Sequence, residues 1–112
     1  MIFNLSEKKS IANKFIAELR DVNIQKDKMR FRRNLERVGE VLAYEISKTL
    51  QYEEAKVETP LGIATTNKLT HRIVLATILR AGLPLHQGML NYFDDADNSF
   101  ICVYNKLHKI VN

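Results

Sequence analysis

Cysteine is nearly absent from this sequence: Cys102 stands alone among 112 residues. A single thiol excludes an intrachain disulfide framework and any zinc site built on cysteine pairs. Tryptophan is missing, and proline occurs only at Pro60 and Pro84, so neither repeats nor low-complexity segments divide the chain. The four glycines, Gly39, Gly62, Gly82 and Gly88, are scattered and form no phosphate-cradling cluster. No uninterrupted apolar run approaches the ~20 residues a membrane span needs. The first residues lack the basic start, apolar middle and small-residue cleavage site of a secretory signal. These absences lead to the expectation of one cytoplasmic domain with no membrane contact.

What is present is an ordinary globular balance, 46% hydrophobic against 27% charged residues, too apolar for a disordered chain. The charge is concentrated. Lys28, Arg30, Arg32, Arg33 and Arg37 face only Glu36 across residues 28–37, and this segment carries the whole net charge of +4. Such a cluster attracts phosphates or nucleic acid. The blander and favoured reading is a solvated helix face whose arginines pair locally.

Periodicity organises the rest. Ser6 is read as the cap of a first helix, with Ile11, Phe15, Ile16 and Leu19 as its apolar stripe. Asp27 is read as the cap of a longer helix to about Leu50, with the stripe Phe31, Leu35, Val38, Leu42 and Ile46. Gly39 interrupts that helix at a propensity cost of about 1 kcal/mol relative to Ala, which points to a close packing contact. Residues 55–65 alternate around Pro60 and Gly62 and predict a hairpin. Residues 73–79 form the continuous apolar run of a strand buried on both faces. A helix over 83–93, a polar loop over 94–98 and a strand over 99–104 complete one parallel βαβ unit.

The junction at Arg80-Ala81-Gly82 draws the functional reading. In an open α/β sheet, ligands bind beyond the carboxyl ends of the strands. The first turn of the following helix offers free N–H groups and a positive dipole end, which favour an anion. Gly82 permits a left-handed conformation or a close approach, Pro84 suits the first helical positions, and Arg80 adds a forked cation. A phosphate or pyrophosphate site and a plain tight turn remain equal readings at this point. His71, His86 and His108 share no metal-ligand spacing, and only His86 lies near the loop. Cys102 is read as a buried small hydrophobe. Asp94, Asp95 and Asp97 are read as a solvated loop, and no metal site is expected.

Several segments together resemble the N-terminal half of uracil phosphoribosyltransferases, within the type I phosphoribosyltransferases. They are Arg20-Asp21, Phe31-Arg32, the run from Asn34 to Glu40 with Tyr44-Glu45, Glu58-Thr59-Pro60-Leu61-Gly62, and Ile78-Leu79-Arg80-Ala81-Gly82-Leu83. The resemblance implies an α/β, Rossmann-like parallel sheet: a helical segment over 1–52, a hairpin arm over 53–70 and a βαβ core over 71–112. It further implies pyrimidine salvage, in which uracil and phosphoribosyl pyrophosphate give uridine monophosphate and pyrophosphate. The loop Arg80, Ala81 and Gly82 would contact the pyrophosphate, often through a cis peptide, with magnesium accompanying it. The arm around residues 57–65 would reach the second subunit of a homodimer or larger assembly.

The sequence also departs from that family. The family sets an arginine after the tyrosine of the second strand as a further ligand of phosphoribosyl pyrophosphate. Here Asn105 follows Tyr104, and Lys106 is the cation left to substitute by reach. The loops for the ribose 5-phosphate and for uracil are not found in these 112 residues, so the expectation is an inactive, truncated chain. The alternative is a non-catalytic module that binds nucleic acid or oligomerises through the basic helix 28–37.

Overall fold

Asn4, not Ser6, sets the first turn. In the computed structural model, which describes residues 2–102, the Asn4 Oδ1 accepts from the Ser6 N–H at 3.1 Å and shapes a 3-10 turn at Leu5–Glu7. Asparagine does this readily because its side chain reaches a backbone donor two residues on. The first helix, α1 (Ala12–Arg20), starts later than expected, with the Ala12 N–H bonded to Ser10 Oγ at 3.2 Å. Ile11 therefore precedes the helix and stays exposed, while Phe15, Ile16 and Leu19 are half-buried.

Asp27 caps α2 (Lys28–Ser47) as its sequence position suggests, its Oδ1 accepting from the Arg30 N–H at 3.1 Å. The helix stops at Ser47, short of Leu50. Ser47 Oγ and Thr49 Oγ1 donate back to the carbonyls of Tyr44 and Ile46, local bonds that compete with the helical ladder. The expected stripe is also shifted. Phe31 and Ile46 are exposed, and the buried positions of α2 are Asn34, Gly39 and Ala43.

Two glycines explain the shift. The third helix, α3 (Leu83–Tyr92), crosses α2 so closely that a Cβ on Gly39 would overlap the Leu85 carbonyl oxygen, and one on Gly88 would overlap that of Glu36. The helix backbones touch where side chains would normally separate them. Gly39 thus makes the close contact its position implies.

Strands β1 (Tyr52–Thr59) and β2 (Gly62–Leu69) form an antiparallel hairpin longer than residues 55–65, turning through Pro60-Leu61. Gly62 takes φ 132°, a conformation that a side chain resists. The ribbon stands largely in solvent, and its root reaches the core through Leu69.

Strands β3 (Val74–Leu79) and β4 (Asp97–Cys102) pair in parallel, with Leu75 opposite Asn98 and Leu79 opposite Cys102. With α3 between them they make the expected βαβ unit. The expectation that residues 73–79 are buried on both faces is corrected: Leu75, Thr77 and Leu79 turn inward, whereas Val74 and Ile78 are exposed. Only one face has a helix over it among the described residues. Cys102 is likewise exposed and not buried. The polar loop is shorter than 94–98, because Asp97 and Asn98 belong to β4. Asp97 is drawn into the strand by the forked Arg72 guanidinium and by its own N–H bonding the Ile73 carbonyl at 3.0 Å. The core gathers Ala43, Leu75 and Phe93, with Leu50, Ile73, Met89 and Leu90 packed around them.

Candidate functional site

The turn between β3 and α3 is built by the strand it leaves. The peptide bond joining Leu79 to Arg80 is cis. Gly82 has φ −77° and not the left-handed conformation its type allows. Glycine is needed there for space, since a Cβ would overlap Thr77 Oγ1 and press on the Ile78 carbonyl. The backbone closes with the Gly82 N–H on the Ile78 oxygen and the Leu83 N–H on the Arg80 oxygen, both at 3.1 Å. Two donors counted as free from sequence are therefore used within the turn. The Ala81 N–H has no partner among the described residues.

Arg80 is exposed and pairs with no carboxylate among the described residues. It borders a cleft of about 370 Å³ together with Ala81, Pro84, Lys28 and Arg32. Three cations from two distant parts of the sequence thus face one opening. The basic cluster and the loop were separate features in the sequence, and α2 brings them together by crossing α3.

The other arginines of the cluster are engaged elsewhere. Arg30 forks onto Glu18 with two bonds of 3.0 Å, and Asn34, fully buried, donates to the same carboxylate at 2.9 Å. These bonds, that of Arg30 above all, lower the Glu18 pKa from 4.5 to about 2 and raise that of Arg30. Arg33 pairs with Glu36, and Arg37 lies over the Phe15 ring while bonding Asn34 Oδ1. Arg32 has no such partner among the described residues. Within the cluster, Arg33 thus pairs locally, Arg30 pairs across to α1, and Arg37 is held by an amide and an aromatic ring and not by a carboxylate.

His86 was the one histidine near the loop, and it is buried, with Nε2 2.6 Å from Asn98 Oδ1 and its ring beside Phe100. Sequence alone gave no sign of the Asn98 partner, which lies 12 residues away on β4. Asn105 and Lys106 lie outside the described residues. Among the described residues, no group of three His, Cys, Asp or Glu side chains is placed to hold a metal ion. No helix among them is long and apolar enough to cross a membrane.

A parallel β3–β4 pair, with the turn at its carboxyl edge leading into α3, defines a mixed α/β protein of the class whose ligands characteristically bind beyond the carboxyl ends of the strands. The comparisons make the family specific. The sequence model of uracil phosphoribosyltransferase matches residues 6–110, and the chain belongs to that family. A uracil phosphoribosyltransferase of Porphyromonas gingivalis is 51% identical over 111 residues, covering 99% of this chain and 51% of the relative. That of Methanothermobacter thermautotrophicus is 43% identical over 77 residues, covering 67% of this chain and 36% of its own length. A solved structure, the AQ2163 protein from Aquifex aeolicus, superposes with a TM-score of 0.74 at 30% identity, over 89% of this chain and 47% of that one. The chain spans about half the length of the first of these relatives.

Proposed function

We propose that these residues supply the pyrophosphate-binding part of a uracil phosphoribosyltransferase, which joins uracil to phosphoribosyl pyrophosphate and releases pyrophosphate. The observation that carries this reading is the exposed Arg80 guanidinium beside the open Ala81 N–H, at the carboxyl end of a parallel strand, in a chain of this family.

As the bond to the ribose breaks, negative charge accumulates on the departing pyrophosphate. Preorganised cations and N–H dipoles stabilise that charge more than they stabilise the bound substrate. Arg80 acts electrostatically and transfers no proton. Magnesium, when bound, neutralises part of the pyrophosphate charge. Among the described residues, no cluster of carboxylates is placed to hold it. Asn105 and Lys106 carry the remaining, weaker assignment to phosphoribosyl pyrophosphate. The base and the ribose 5-phosphate need loops that these 112 residues do not contain, and the chain by itself is inactive.

Formation of uridine monophosphate tests this. The 112 residues alone give no product above background with uracil, phosphoribosyl pyrophosphate and magnesium. A hybrid joining them to the second half of the Porphyromonas gingivalis relative turns over. In that hybrid Arg80→Ala lowers kcat/KM at least tenfold, since a charge-assisted hydrogen bond contributes roughly 1.5–3 kcal/mol. Product from the 112 residues alone would refute the division of labour, and a hybrid indifferent to Arg80→Ala would refute the loop assignment.

A further inference from the structure

We propose that His86 is a positioning residue of the anion loop: its bond to Asn98 fixes the direction in which α3 leaves the sheet, and so the aim of residues 80–82. The inference rests on the reading of that loop as a pyrophosphate site.

The location of the bond carries the argument. His86 is 8% exposed and its N–H bonds the Gly82 carbonyl at 2.9 Å, so the ring sits one helical turn from the loop. Its Nε2 lies 2.6 Å from Asn98 Oδ1, and with that oxygen as acceptor Nε2 carries the proton. The ring also lies against Phe100, centroids 5.2 Å apart at 41°. Asn98 and Phe100 are two residues apart on β4 and share a face. Their partners in register are Leu75 and Thr77. Thr77 is the residue whose side chain a Cβ on Gly82 would strike. The loop and His86 thus press on one patch of the strand pair.

Beyond the backbone bond from the Gly82 N–H to the Ile78 carbonyl at the turn, little there is directional. Among the described residues, the His86–Asn98 bond is the only side-chain hydrogen bond joining α3 to β3 or β4. Asn91 and its carboxylate partners tie α3 to α2 instead. At Gly88 the two helix backbones meet without an interlocking side chain, which fixes their separation better than their angle. Apolar packing is non-directional. A single part-buried hydrogen bond therefore sets the tilt of a helix whose first residues complete the anion site.

Calorimetric titration of the 112-residue chain with inorganic pyrophosphate tests the proposal. His86→Leu keeps an apolar body beside Phe100 and loses the bond; its affinity falls about tenfold, as a small misplacement of binding groups produces. His86→Gln, which retains a donor for Asn98, recovers most of that loss. Asn98→Leu falls as far as His86→Leu, and the double variant falls no further than either, because one interaction is being removed. Circular dichroism and melting at the titration temperature establish that each variant is folded. A folded His86→Leu that binds within twofold of the parent overturns the proposal, even if it melts earlier. Should His86→Leu fail to fold, Asn98→Leu, altered at an exposed strand position, decides by the same criterion. Arg80→Ala in the same titration separates the two readings. Lost affinity there with none lost at His86 removes the positioning role alone, and unchanged affinity at Arg80, or no binding by the parent, removes the pyrophosphate site and the proposal together.

Discussion

Glu18, Asn34 and Arg30 show how a surface charge becomes structural. The carboxylate on α1 accepts from both residues of α2, and Asn34 is buried only because Glu18 and Arg37 satisfy its amide. The Glu18 pKa is held at about 2, mainly by Arg30 and then by Asn34, against an ordinary 4.5. A carboxylate with a lowered folded pKa contributes stability that is complete above its unfolded value and is lost as the pH falls through the folded one. Stability from this group is therefore level above pH 4.5 and declines between about 4.5 and about 2. Urea unfolding at a series of pH values checks this. Glu18→Gln should be less stable than the parent near neutrality, with the gap narrowing toward pH 2; a constant gap would show that the charge is not the cause. At Gly88 the expected effect is steric. Its Cβ would overlap the Glu36 carbonyl, so Gly88→Ala should destabilise by about 1–3 kcal/mol despite the better helix propensity of alanine. A thermal melt equal to or above that of the parent would contradict the close crossing.

Elements differ in how firmly the rest of the molecule holds them. The α2–α3 pair is locked backbone to backbone, whereas among the described residues the hairpin is fastened at its root, near Leu69. Its own stability comes from the cross-strand ladder and the turn through Pro60-Leu61, where Thr59 Oγ1 bonds the Gly62 carbonyl at 2.6 Å. Gly62→Ala meets no neighbour, yet its φ of 132° is costly for any side chain. The expected result is faster amide exchange throughout β1 and β2, with β3 and α3 protected as before. Loss of protection in β3 or α3 as well would mean that arm and core unfold as one unit. The arm also shows what local pattern reveals. Pro60 and Gly62 located the turn, but the strands run to Tyr52 and Leu69 because register, once set, extends pairing beyond the alternating residues.

At the scale of the whole molecule, apolar surface lies open among the described residues. Val74 and Ile78 on β3, Ile101 on β4 and Val57, Leu61 and Ile63 on the arm are all exposed. Among the described residues, two parallel strands with one covered face do not close a sheet, and the arm projects beyond the core, with principal extents of 63 × 34 × 32 Å. Symmetric pairing is the commonest way to cover such surface. Static light scattering of the 112-residue chain at micromolar concentration should accordingly give at least twice its 13.0 kDa mass. Arm variants such as Ile63→Glu should reduce that mass. A monodisperse monomer would remove the proposed assembly through the arm.

The sequence by itself determined the elements whose cause is local. Asp27 started α2, Pro60 and Gly62 placed the turn, and the Arg80-Ala81-Gly82 junction marked the end of a strand and the start of a helix. Those features depend on side chains acting on their own backbone, so neighbours in sequence suffice to read them. Only the tertiary structure decided which face of each element is buried. Gly39 and Gly88 chose the contact line of α2 in place of the larger apolar residues, because backbone can approach backbone only where side chains are absent. The same crossing set Lys28 and Arg32 beside Arg80, and the parallel register set Asn98 against His86. These pairs lie far apart along the chain, where no local periodicity acts between them. The site took its composition from the sequence, and packing alone gave it its geometry.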